Sequence, residues 1–378
     1  MRIALVTENF LPKVDGVTRT LAMLLTHLQR RGDQTIVLGP QGAPRRYAGA
    51  GVFRAPGIPL PFYPELRFLL PPPGFEHLLA RFRPDVIHVV DPVILGAAGI
   101  FWARRLGIPL ISSYHTNLAD YCDYFRVPAL AQPLWAYRRA LHNQCAMTLC
   151  PSPSTAAQLG LRGFERLGIW SRGVDSQLFN PSQRSTAWRV RVAGDSARAI
   201  ILYVGRLSYE KNLSALARAF DQVDGERAHL VLVGDGPARA ELEAALGPRR
   251  ATFTGYLHGR ALAEAYASAD VFAFPSMTET FGQAVNEAMA SGLPVVAFDA
   301  DGVRDLVRHG ETGYLIPPRD INAFARAIQR LVDVPDERAS LSVRAQATAS
   351  ARTWESVLDG LLDSYRAIIG RSSLARAA

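Results

Sequence analysis

The chain has 378 residues, 48% of them hydrophobic and 20% charged, with a formal net charge of +8. That length predicts two domains, and the apolar content excludes general disorder. The three cysteines, Cys122, Cys145 and Cys150, are odd in number and form no CxxC pair, which argues against a disulfide framework or structural zinc and fits a reducing, cytoplasmic setting.

The first residues, MRIALVTENF, reach Glu8 before an apolar run long enough for a signal peptide. Short Val/Ile/Leu-rich runs then recur at 3–7, 35–39, 85–90, 109–114 and 147–151. Most are apolar on both faces, the pattern of buried parallel strands. A helix is expected over 18–29, stopped by Arg30, Arg31 and Gly32. Residues 58–75 are rich in proline, aromatics and leucine, and read as a long packed surface loop or an acceptor or lipid contact. The longest apolar stretch, 93–103, holds 11 residues, far short of a membrane span.

A turn-rich segment, 173–181, separates this series from a second one. Strands are expected at 200–204, 229–233, 251–254, 271–275 and 294–298, with helices over 213–223, 238–246, 261–268 and 282–290. Alternation of this kind predicts doubly wound α/β units with ligands at the carboxyl ends of the strands. The expected division is 1–180, 181–355 and a last helix, 356–378, packing back on the first domain. That helix has apolar residues at helical spacing from Trp354 to Tyr365.

Residues 1–180 carry 19 basic and 11 acidic side chains, whereas the remainder balances at 23 of each. The first half is thus expected to meet something anionic, unless the surplus is compositional drift. Only two basic residues are lysines, Lys13 and Lys211; a compact ammonium is expected where a guanidinium would not fit.

No P-loop, GxGxxG after a strand, HExxH or GxSxG is present. The Asp299-Ala300-Asp301 run reads as a loop rather than a metal-binding pair. The strongest local feature is Gly205-Arg206-Leu207-Ser208-Tyr209-Glu210-Lys211, between a strand and a helix. Two cations beside a helix N-terminus suit a diphosphate. Next comes Glu279-Thr280-Phe281-Gly282, with Glu287 eight residues beyond Glu279. Paired carboxylates bind sugar hydroxyls, and exposed N–H groups at Phe281 and Gly282 would add donors. His115 follows the fourth strand on a loop. Gly16, after Lys13 and Asp15, permits close backbone approach to an anion.

Together these residues resemble the retaining GT-B glycosyltransferases of family 4, over nearly the whole chain. The resemblance runs from Asp15-Gly16-Val17 through Arg172-Gly173-Val174-Asp175 and Val204-Gly205-Arg206 to Gly310-Glu311-Thr312-Gly313. The stretches SYHTN and WSRGVDSQLFNPSQRS look most like the glycolipid-forming branch, which includes GDP-mannose-dependent α-mannosyltransferases and sulfoquinovosyl-diacylglycerol synthases. It implies an α/β fold of two Rossmann-like domains facing across a cleft. Arg206 and Lys211 would hold the donor diphosphate, Glu287 the ribose, and Glu279 with the Phe281 and Gly282 backbone the transferred sugar. His115 would touch the sugar near its C6 hydroxyl, and Gly16 would lie against the phosphates. No metal or other cofactor is implied. The loop Asp-Ala-Asp-Gly-Val-Arg-Asp departs from the Gly-Gly-x-x-Glu pattern of many relatives, with Asp305 in the acidic place.

The expected reaction moves a hexosyl unit from a GDP- or UDP-linked sugar to a lipid or glycolipid acceptor with an α-linkage. A GT-B sugar-nucleotide epimerase, an enzyme using a soluble sugar or polyol acceptor, and a non-catalytic sugar-binding protein are the alternatives. Nucleic-acid binding is not expected, because no recognised motif accompanies the basic pI. The first-half surplus is assigned to the acceptor side, an anionic membrane surface or acidic head group. The chain would be cytoplasmic, either free or held peripherally on the inner face of the cell membrane.

Overall fold

The β-branched and leucine-rich runs form strands covered on both faces, as a parallel sheet requires. The computed structural model describes residues 1–13, 15–60, 63–119, 122, 127–195 and 197–377. Its first unit is Met1–Arg172 with Trp354–Ala378. That unit holds β1 (Arg2–Thr7), β2 (Gln34–Pro40), β3 (Arg46–Tyr47), β4 (Ala50–Ala55), β5 (Gly57–Leu60), β6 (Tyr63–Leu69), β7 (Val86–Val90), β8 (Leu110–Ser113), β9 (Met147–Cys150) and β10 (Leu167–Ile169). Eight of these form one sheet in the order β10-β9-β8-β7-β1-β2-β4-β3. All its pairs are parallel except β3 with β4. Helices α1 (Gly16–Arg30), α2 (Phe75–Phe82), α3 (Leu95–Arg105), α4 (Ala131–His142) and α5 (Pro153–Leu161) connect them.

The first helix shows how local sequence sets an element. Asp15 caps it by accepting from Thr18 N–H at 2.8 Å. Its buried residues, among them Leu21, Leu24, Leu25 and Leu28, recur at helical spacing. It closes with Gly32 N–H on Gln29 O and Asp33 N–H on Leu28 O, which satisfies two terminal carbonyls.

The second unit is Gly173–Thr353. It holds β11 (Ala199–Val204), β12 (Ala228–Val233), β13 (Ala251–Gly255), β14 (Val271–Phe274), β15 (Val295–Phe298) and β16 (Gly313–Ile316). Their order is β13-β12-β11-β14-β15-β16, all parallel. Its helices are α6 (Thr186–Ala193), α7 (Leu213–Phe220), α8 (Arg239–Leu246), α9 (Gly259–Ser268), α10 (Gln283–Ala290), α11 (Ile321–Asp333) and α12 (Pro335–Ser350). The chain leaves the first unit at Arg172 and rejoins it at Trp354, slightly ahead of the expected changes at 180 and 355. The last helix, α13 (Trp354–Ala377), buries Trp354, Leu358, Leu361, Leu362 and Tyr365 in a cluster with Ile3, Leu5, Leu24 and Val86.

Three expectations need correction. The segment 58–75 is not one long loop: β5 and β6 pair antiparallel, with Gly57 opposite Leu69 and Ile58 opposite Phe68. Residues 61 and 62 lie outside the described residues. Each sheet also extends past the expected five strands, at β3, β4 and β10 in one and at β16 in the other. These are short or glycine-containing segments at a sheet edge or, for β4, next to one, whose apolar runs are too broken to stand out. The helix expected over 213–223 stops at Phe220.

Asp270, just before β14, ties the amino end of the second sheet. Its carboxylate accepts from Arg184 at 2.9 Å, from Arg189 at 2.7 Å and from Ile200 N–H at 2.8 Å. Burial pushes this carboxyl up, but the Ile200 N–H and Arg189 outweigh it and hold it below the usual aspartate range. Asp270→Asn removes the carboxylate charge that faces the buried Arg189, and should destabilise the second unit by about 3–5 kcal/mol in urea denaturation.

Candidate active site

In the second sheet the chain order reverses between β11 and β14, so the loops leaving these two strands emerge side by side. The first carries Arg206 and Lys211, and the second Glu279. Lys211 Nζ stands 2.6 Å from Glu279 Oε1, and Ser276 Oγ donates to the same oxygen at 3.0 Å. Both charged side chains are about one-fifth exposed, so the ion pair is partly desolvated. Lys211 lies on a single helical turn, Tyr209–Lys211, and Asn212 Nδ2 donates to Pro275 O across the two loops. The Arg206 carbonyl accepts from Tyr203 Oη at 3.1 Å, and Leu207 N–H donates to Asp235 O. A Cβ at Gly234 would lie 1.9 Å from Gly205 O, so the loop after β12 can approach the Arg206 loop only with glycine there.

The Glu279 loop enters α10 through Phe281, which is buried, and Gly282, the residue before the helix. Gly302 lies against this backbone: a Cβ there would stand 2.6 Å from Phe281 N. The divergent 299–305 loop therefore fits Phe281 closely despite its altered sequence. Arg304 pairs with Asp299 at 3.0 Å within that loop. Glu287, in the second turn of α10, is buried and is approached by Tyr266 Oη and Gln283 Nε2, each at 3.4 Å.

In the first sheet the order reverses around β1, and the loops after β1, β7 and β8 leave the same edge. Lys13 Nζ bridges Asn9 Oδ1 at 3.3 Å and Asp15 Oδ2 at 3.1 Å, just before the exposed Gly16 opens α1. Glu8 Oε1 accepts from the N–H groups of Val93, Ile94 and Gly96, at the start of α3. Burial raises its carboxyl above the usual range, against the lowering by those N–H groups.

His115 is buried on the loop after β8. Both ring nitrogens are engaged inside the unit: Nε2 with Ser113 Oγ at 2.8 Å, and Nδ1 with an Arg172 guanidinium N–H at 2.5 Å. The loop's main chain is fixed as well. Asp91 accepts from His115 N–H, and the fully buried Arg138 bridges the Asp91 carboxylate and Thr116 O. The Arg138 guanidinium also lies 4.3 Å from the Tyr114 ring centroid.

This geometry can be set beside known proteins. Residues 14–178 match the family described as Glycosyltransferase Family 4, and residues 198–333 that described as Glycosyl transferases group 1. A GDP-mannose-dependent alpha-mannosyltransferase of Mycolicibacterium smegmatis is 39% identical over 99% of both chains. The chain is a family 4 glycosyltransferase. Sulfoquinovosyl transferase SQD2 of Arabidopsis thaliana is 34% identical over 93% of this glycosyltransferase and 71% of that protein. Both relatives come from the glycolipid-forming branch that the SYHTN stretch resembles. The solved structure of Anabaena Alr3699/HepE in complex with UDP and glucose covers 97% of this chain and 100% of that one, at TM-score 0.78 and 21% identity. That likeness establishes the GT-B fold.

The glycosyltransferase thus brings Lys211 together with Glu279, and sets Gln283 beside Glu287. Gly16, the first residue of α1, and His115, on the loop after β8, both fall at the carboxyl edge of the first sheet. Sequence reasoning missed Asp91, Arg138 and His88, and read Ser113 and Arg172 only as members of the SYHTN and Arg172-Gly173-Val174-Asp175 stretches. Asp91, directly after a strand, was the one visible signal. Among the described residues, no group of three or more His, Cys, Asp or Glu is placed to hold a metal ion, and no helix is long and apolar enough to cross a membrane.

His88, on β7, is fully buried, and burial with the nearby Arg172 charge pushes its imidazole down to about 3. The unfolded chain binds a proton near 6.5, so stability is full above that pH and falls as pH drops toward 3. Between pH 7 and pH 5 the glycosyltransferase should lose about 2 kcal/mol from this residue alone. Urea titrations at the two pH values, compared with His88→Gln, should show a smaller loss in the variant.

Proposed function

We propose that this enzyme transfers a hexosyl unit, mannose being the first candidate, from a nucleotide-diphosphate sugar to a lipid or glycolipid acceptor, with retention and an α-linkage. The carrying observation is the Lys211–Glu279 pair at 2.6 Å, on two adjacent loops at the carboxyl edge of the second sheet. The full-length similarity to a GDP-mannose-dependent alpha-mannosyltransferase supports GDP-mannose as donor.

In this reading Arg206 and Lys211 bind the diphosphate and stabilise it as it departs. Lys211 already has a carboxylate partner, which keeps its ammonium oriented before the donor arrives. Glu279, with the N–H groups of Phe281 and Gly282, takes hydroxyls of the transferred sugar. Glu287 takes the ribose hydroxyls, exchanging its weak 3.4 Å contacts for shorter ones. Gly16 lies against the phosphates, and His115 touches the sugar. The two cations supply the charge that the leaving group needs, so the reaction is read as metal-independent. A donor phosphate oxygen assists removal of the acceptor proton, and no side-chain nucleophile is required.

A donor screen tests this reading. GDP should raise the melting temperature more than UDP or ADP, and GDP-mannose with a lipid acceptor should give an α-mannoside. Lys211→Ala and Arg206→Ala should each lower kcat/KM by about 100-fold to 1,000-fold. Interconversion of the free nucleotide sugar without acceptor would instead identify an epimerase.

The basic surplus of the first half supports peripheral membrane contact. On α3, Phe101, Arg104 and Arg105 are exposed; on α4, Tyr137 and Arg139 are, with Leu130 just before it. Co-sedimentation should be stronger with anionic than with zwitterionic vesicles and should weaken with salt. Equal weak binding to both would remove the electrostatic contribution.

A further inference from the structure

A line of buried hydrogen bonds runs through the first unit behind His115. Arg172 donates to His115 Nδ1 at 2.5 Å, and His115 Nε2 meets Ser113 Oγ at 2.8 Å. Ser113 Oγ meets His88 Nε2 at 2.8 Å, and His88 Nδ1 meets Tyr365 Oη at 2.7 Å on α13. All five residues are buried, His88, Ser113 and Tyr365 completely. Trp170 fills the side of the line, edge-on to both histidine rings and 4.9 Å below the Arg172 guanidinium.

The direction of the first bond is not open. A guanidinium only donates. His115 Nδ1 must therefore accept, and a neutral ring then carries its proton on Nε2 and gives it to Ser113. A second proton on Nδ1 would set one N–H against another. Arg172 is itself held by the Trp170 and Ser171 carbonyls, which accept from Nη1 at 2.8 and 3.1 Å. Among the described residues it pairs with no carboxylate, so no acidic group competes for the guanidinium. Burial, and after it the Arg172 charge, keeps His115 well below the usual histidine range.

We propose that Arg172 is a positioning residue for glycosyl transfer, holding His115 as the neutral Nε2–H tautomer through its bond to Nδ1, with Ser113, His88 and Tyr365 fixing the other side of the ring. This rests on the reading of His115 as the residue that touches the donor sugar. With both nitrogens committed, the imidazole exchanges no proton during transfer. It presents a fixed, uncharged ring to a sugar that gains positive charge at its anomeric centre. An imidazolium in the same place would repel that charge. The helix that carries Tyr365 thereby supports the His115 loop from within the same unit.

Selective 15N-histidine labelling of the full chain, with long-range proton–nitrogen correlation and His115→Gln for assignment, reads the tautomer directly and needs no activity. Wild type should show His115 as Nε2–H. Arg172→Met should give mixed tautomers and lower kcat by about 10-fold to 100-fold with little change in donor KM, and Arg172→Lys should recover part of both. Ser113→Ala, a milder change that removes the Nε2–H acceptor, carries the test if Arg172→Met does not fold. It should lower kcat in the same way. A wild-type Nδ1–H tautomer, an Arg172→Met variant with unchanged tautomer and kcat, or a Ser113→Ala variant with unchanged kcat would overturn the proposal. His115→Ala separates the two readings. Full activity there ends the role of His115 in transfer, whereas an inactive His115→Ala with a wild-type Nδ1–H ring ends only the role of Arg172.

Discussion

A parallel sheet sends every strand out at the same edge, and the whole arrangement follows from that constraint. Residues far apart in sequence meet because their strands are neighbours at a reversal of order. Lys211 and Glu279, 68 positions apart, form an ion pair for this reason. The loops after β1, β7 and β8 likewise bring Lys13, Asp91 and His115 to one edge of the other sheet. Chemistry is thus placed by topology first, and side chains refine it.

The refinement uses buried charge. Asp91 lies in the left-handed region at φ +51°, which aspartate tolerates better than most residues, while its N–H bonds Ser113 O. From there its carboxylate meets Arg138 and the His115 N–H. Burying an ion pair is costly, and apolar residues of like volume would often stabilise a fold as well. What the pair adds here is direction, because Arg138 fixes a carbonyl and a carboxylate together. Glu8 does comparable work at the start of α3, where one carboxylate oxygen gathers three N–H groups.

Much of this was legible in the sequence. The alternation of strands and helices, the Arg206–Lys211 loop and the Glu279–Glu287 spacing all stand out, because strand ends and helix starts have local signatures. The supporting groups do not. Arg138 sits beside Arg139 on an amphipathic helix, and nothing in the spacing marks the first as fully buried and the second as exposed. Glu8 is visible only as a break in an apolar run. His88 reads as an interruption of a strand, because its partner Tyr365 lies 277 positions away. The β5–β6 hairpin hid within a proline-rich segment, where propensity argues against strands.

The discontinuous make-up of the first unit has a consequence for how the chain is made. Gly173–Thr353 is continuous, so it is fully available before α13 has been synthesised. The first unit is not. Until residues after 353 leave the ribosome, Ile3, Leu5, Leu24 and Val86 lack the apolar face of Trp354, Leu358 and Leu361. The earlier-made half must therefore wait, with part of its core uncovered, while the later one folds. Chaperone demand during translation should concentrate on that open face, and a ribosome stalled near residue 353 would display it for as long as it paused.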